Sequence, residues 1–156
     1  MKEKKGEHPF GDAGQIIALA LFLILWIADS FFMKISIDLA VYIPLFVRLP
    51  IALLFLAGSI YLLIQSHNVL EGEDRPRKVI STGVFKYIRH PLYMSSILFY
   101  LALIISTASI ISLFLWIVIF IFYDYIAGYE EKVMEMKFGE EYRIYKQKTG
   151  KWLPKL

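Results

Sequence analysis

Apolar residues gather into long stretches along this chain, and the polar residues that interrupt them are few and grouped. The first stretch, Ile16 to Met33, is broken only by Asp29 and Ser30 near its end. The second runs from about Leu39 to Ile64 and carries Pro44, Arg48 and Pro50. A membrane-crossing helix needs about 20 such residues, so spans are predicted over 16–33 and 39–64. The prolines lack an N–H and strain the preceding turn, so they are expected to kink or break the second span. A third stretch, Leu92 to Ile126, is too long for one span and barely long enough for two. Its small residues Ser106-Thr107-Ala108-Ser109 predict a tight helical hairpin between spans over 91–106 and 109–127. Beyond it the chain turns polar, yet Met134, Phe138, Tyr142 and Tyr145 recur at helical spacing. They predict an amphipathic tail helix from about Tyr129 to Lys148, resting on the cytoplasmic membrane surface, with Gly139 as a place to bend. The expected fold is all-α and integral to the membrane: a single domain over 1–156 with about four transmembrane helices, a C-terminal helical hairpin and that tail.

Composition agrees, since 58% of the 156 residues are hydrophobic, against ~45–50% in soluble domains. The apolar run after MKEKKGEHPFGDAG is too long for a signal peptide and shows no small-residue cleavage site, so it is expected to stay as a span. The lack of cysteine excludes disulfides, thiolate metal sites and a cysteine nucleophile. His8, His67 and His90 have no metal-ligand spacing, and no metal is expected. Phosphate loops, hydrolase triads and dinucleotide fingerprints are absent, and no nucleic-acid partner is expected. Charge adds orientation. Fifteen of the 17 Lys and Arg fall on one face of a four-span topology: three before the first span, five before the third and seven in the tail. The positive-inside rule then puts both termini in the cytoplasm. Asp29, Arg48 and Asp124 are the charges within spans, too few for a channel.

The chemistry concentrates at FKYIRHPLYM, residues 85–94. Pro91 suits the first turn of a helix, where its missing N–H costs nothing. Arg89 and His90 then lie at a helix N-terminus that attracts anions, and Tyr93 adds an aromatic face with a hydroxyl. Glu130 and Glu131 follow the fourth span, which returns to the same membrane face, and Asp124 sits one to two turns above them. A basic cluster facing an acidic pair across a hairpin suits a zwitterion, one end taking a carboxylate and the other an ammonium. Interfacial anchoring by Arg89 and Tyr93, and simple hydration of the glutamates, are equally open at this point.

Taken in order, S-T-G-V-F-x-Y-x-R-H-P-x-Y, a short-looped hairpin, E-E, F-G-E-E-Y-x-x-Y-K and a closing L-P resemble the isoprenylcysteine carboxyl methyltransferase family. That family belongs to a wider group of integral-membrane methyltransferases which includes phospholipid N-methyltransferases. The resemblance covers residues 79–154. It implies S-adenosylmethionine as methyl donor, held at the cytoplasmic face by the hairpin and tail, in a cofactor-binding half over 78–154. Its implied contacts are Lys78, Val79, Ile80, Phe85, His90, Pro91, Leu92, Tyr93 and Glu130. It also implies a lipophilic acceptor, first the carboxylate of an isoprenylcysteine-like substrate. A phospholipid amine, or a non-catalytic membrane scaffold, is the alternative. Arg89, His90 and Glu131 are the expected catalytic residues, with His90 or Glu131 taking a proton if the acceptor is an amine. Membrane lipids are the other expected partners. Two positions depart from the pattern. Ile126 stands where eukaryotic members carry a basic substrate contact, and Ser95 stands where many relatives carry glycine. A carboxylate acceptor would need another cation, and Arg48, between Pro44 and Pro50, is the candidate substrate residue.

Overall fold

The structure, a computed structural model, describes residues 11–72 and 78–155, so Lys2, Lys4, Lys5, His8, Arg75 and Arg77 lie outside the described residues. Helix α1 (Gly11–Ile27) runs into a wider π-helical turn, Ala28–Met33. A four-residue α2 (Leu39–Tyr42) precedes the long α3 (Leu45–Gly72). A 3₁₀ turn at Gly83–Lys86 leads to α4 (Pro91–Thr107), which pairs with α5 (Ile110–Phe138), and α6 (Glu140–Lys148) follows. Segments Ala13–Met33, Leu45–Glu71 and Ile110–Phe138 are each long and apolar enough to cross a membrane, and α4 is a shorter apolar helix of 17 residues. The protein is all-α among the described residues and integral to the membrane.

The hairpin falls where the small residues allow it. Ala108 adopts a left-handed conformation (φ 58°) and ends α4, while the Ser109 hydroxyl accepts from the Ser112 N–H and caps α5. The second stretch is broken by proline, as expected, but at only one of the two prolines. Its break comes at Ile43-Pro44, Pro50 sits inside the continuous α3, and α3 reaches Gly72 rather than ending at 64. The tail turns at Gly139, as expected, but is not one helix. Residues 129–138 are the last turns of α5, and a separate helix begins only after Gly139, whose φ of 56° suits glycine. Apolar patterning marks where a helix meets lipid, whereas α5 carries its backbone bonding past that limit.

At the hairpin end of the bundle, Asp29 is 3% exposed. Its carboxylate accepts from the Ile35 and Ser36 N–H groups and from the Ser36 and Ser109 hydroxyls, at 2.5–3.1 Å. The Trp26 indole N–H donates to the Leu103 carbonyl and to Thr107. These bonds fasten α1 to the hairpin. Toward the other end, Phe22, Tyr93, Ile97, Tyr100, Tyr123 and Ile126 form the core between α1, α4 and α5. Helix α3 lies against α4, where the Ser95 hydroxyl donates to the Ser59 carbonyl at 3.0 Å. The serine in place of glycine thus gains an interhelical bond, of the kind worth about 0.6 kcal/mol in membranes.

Candidate functional site

Pro91 opens α4 and leaves His90 at its cap, as the R-H-P order predicts. The preceding residues are pinned to the C-terminal segment by a parallel bridge. The Arg89 N–H donates to the Gly150 carbonyl at 2.9 Å, and the Gly150 N–H donates to the Tyr87 carbonyl at 3.2 Å. A Cβ at Gly150 would lie 1.5 Å from the Leu153 oxygen, so the turn needs glycine. Lys151 then reaches Asp124 at 2.5 Å, and the Trp152 indole donates to the same carboxylate at 2.9 Å. The segment 149–152 therefore straps across the start of α4. Asp124, expected beside Arg89 and His90, instead holds this strap.

Within the cluster, Arg89 Nε donates to Glu131 Oε1 at 2.8 Å, and Nη1 donates to the Lys146 and Thr149 carbonyls. Glu131 is 5% exposed, and its second oxygen meets Lys146 Nζ at 3.1 Å. Arg89, Glu131 and Lys146 thus satisfy one another and tie α6 to the hairpin. His90 lies between the two carboxylates, Nε2 at 3.3 Å from Glu131 and Nδ1 at 3.7 Å from Glu130. The Tyr93 hydroxyl donates to Glu130 at 2.6 Å. The His90 ring stacks on Tyr93 and faces Trp152. Burial pushes the imidazole below its ordinary range, outweighing the Glu131 hydrogen bond and charge that pull upward. Burial thus favours the uncharged imidazole.

Most candidate residues converge at this end. Val79 donates its N–H to Glu141 on α6, and the Phe85 carbonyl accepts from the Tyr145 hydroxyl. Lys78 and Ile80 flank Val79 on the same loop, and Leu92 is half-buried in the first turn of α4. Two expectations change. The cation meant for a carboxylate, Arg89, is already engaged by Glu131 and two carbonyls. Arg48 is not in the cluster at all. It bonds the Ile43 and Ser106 carbonyls at the hairpin end, roughly 24 Å along α4 from His90 at about 1.5 Å per residue. Lys146, Lys151 and Trp152 went unrecognised in the sequence. Their signal was a basic-aromatic tail complementary to Asp124 and Glu131, legible only once the fold paired them.

The donor set fits the cationic half of a methyl donor. Glu130 suits an ammonium, while the Tyr93 ring is sandwiched between His90 and Tyr123. A second feature lies alongside. A cleft of about 530 Å³ opens between α1 and α3, floored by Ser95, Ser96, Phe99 and Tyr100 of α4 and by Tyr123 of α5. Its walls, including Leu19, Leu56, Ile60 and Leu63, are almost wholly apolar.

A family model described as phospholipid methyltransferase (PEMT) matches residues 47–141, which takes in His90, Tyr93, Glu130 and Glu131. Comparison with curated proteins and with solved structures returned no match.

Proposed function

This chain belongs to the phospholipid methyltransferase family, and from that premise we propose that it methylates a lipid-borne amine with S-adenosylmethionine as donor. Bound in the cluster, S-adenosylmethionine would supply an electrophilic methyl group on sulfur, released with its bonding pair left behind as a neutral thioether. Glu130 would hold the donor's ammonium, with Tyr93 fixing the carboxylate. His90 and Tyr93, both largely buried, would exclude water from the site. Such displacement draws most of its acceleration from positioning. An amine is mostly protonated near neutral pH, so His90 would accept its proton transiently and pass it on to solvent, since burial disfavours the imidazolium, before the nitrogen's lone pair forms the new bond.

The observation that carries the amine over a carboxylate is the engagement of the cluster's cations. Arg89 and Lys146 are paired with Glu131, and Lys151 with Asp124. Ile126, where a basic contact would stand, is 1% exposed in the apolar core. The isoprenylcysteine carboxylate is thus the second reading, and the sequence resemblance favours it. The acceptor's hydrocarbon would sit in the cleft between α1 and α3 while its head group approaches the cluster. The crowding of basic residues on one face supports a cytoplasmic site.

The test supplies purified protein with labelled donor and either phosphatidylethanolamine or N-acetyl-S-farnesylcysteine in mixed micelles. Label should enter the phospholipid, and His90→Ala should abolish transfer. Glu130→Gln should weaken donor binding roughly ten- to hundredfold, the loss of one charge-assisted hydrogen bond. Methylation of the farnesylcysteine alone would overturn the amine reading.

A further inference from the structure

Tyr123 touches both compartments. Its ring helps floor the apolar cleft, and it also stacks on Tyr93, whose hydroxyl bonds Glu130, at 5.3 Å and 25°. The ring is 1% exposed. Its hydroxyl lies 3.3 Å from that of Tyr100, which ties the ring to α4. A group arriving through the cleft therefore meets the edge of this ring before it meets Tyr93. Around the ring the cleft offers a short band of hydroxyls, Ser95, Ser96, Tyr100 and Tyr123, in otherwise apolar walls. Such a band suits the polar end of an amphiphile whose tail stays among the leucines.

We infer that Tyr123 is a specificity-determining partition, whose ring sets how far a head group entering from the cleft advances toward Tyr93 and Glu130, and so how bulky that head group can be. The inference rests on the proposed lipid acceptor. A flat ring held by stacking on Tyr93 and by its hydroxyl contact with Tyr100 discriminates by shape. Discrimination by one methyl-sized group in an apolar site amounts to at least about tenfold.

The experiment has two arms. In the first, phosphatidylethanolamine and its N-methyl and N,N-dimethyl forms compete for methylation by wild type, Tyr123→Phe, Tyr123→Leu and Tyr123→Ala. The Ala and Leu variants should raise the kcat/KM ratio of the dimethyl over the unmethylated lipid by about tenfold. Phe, which keeps the ring, should leave the ratio near wild type. Donor affinity should be unchanged in all three, which also reports an intact cluster. An unchanged ratio in both Ala and Leu variants would overturn the partition. In the second arm, a phospholipid carrying a photoreactive group on its head is cross-linked to the full chain and the labelled peptides are mapped. Label should stop at the cleft floor in wild type and extend to Tyr93 in Tyr123→Ala. This arm needs no turnover, so failure to methylate any lipid amine would sink the proposed function while the map still decides the partition. A wild-type map that already reaches Tyr93, or an Ala map that does not, would overturn it.

Discussion

His90 is a residue on which burial and charge act in opposite directions. Glu131 favours the imidazolium, while burial, Arg89 and Lys151 disfavour it, and burial is the largest effect. In the unfolded chain the imidazole returns to a value near 6.5. Below about pH 6.5 unfolding therefore takes up a proton that the native state resists. Stability from this residue is complete above that value and declines as pH falls toward the folded one. Thermal unfolding in detergent should show a lower midpoint near pH 5.5 than near pH 7, and His90→Gln should flatten that dependence. Equal slopes for the two proteins would count against a buried neutral imidazole. The R-H-P order showed where this residue sits, because proline's fixed φ marks a helix start in any context. Nothing in the order of residues showed that Arg89 would be spent on Glu131, since two glutamates in a row give no sign of which one turns inward.

Among the elements, the hairpin was legible because small residues and serine hydroxyls leave few ways to turn. The break at Pro44 rather than Pro50 was not. Either proline lacks the same N–H, and the choice depends on Arg48 gripping the Ile43 and Ser106 carbonyls. Asp29 looked like an interruption in an apolar run and proves to be a junction between α1 and the hairpin. Asp29→Ala strips acceptors from four donors, two of them backbone groups that cannot re-aim. A loss of about 2–3 kcal/mol is expected, read by denaturant titration in micelles. Ser109→Ala should cost about 1 kcal/mol as a lost helix cap. Donor binding should be unaffected in both, because the junction and the cluster lie at opposite ends of α4. Weakened donor binding would mean that the two ends are coupled.

For the whole molecule, the basic asymmetry predicts that reporters fused at residue 72 and at the C-terminus fall on the cytoplasmic side, and one near Ser36 on the other. Opposite sides for residue 72 and the C-terminus would contradict an even number of crossings between them. The lengths of the helices carry a further consequence. Ser59 on α3 pairs with Ser95 on α4, and Glu131 on α5 meets His90. Counted from those levels at about 1.5 Å per residue, α3 and α5 run roughly 12–14 Å past the first residue of α4. The cluster around His90 is thus countersunk between two taller helices. Under the proposed function, a lipid presented there need not be hoisted out of its leaflet. Raising it by four methylenes into water would cost about 3 kcal/mol at ~0.8 kcal/mol each, and a short central helix removes that climb.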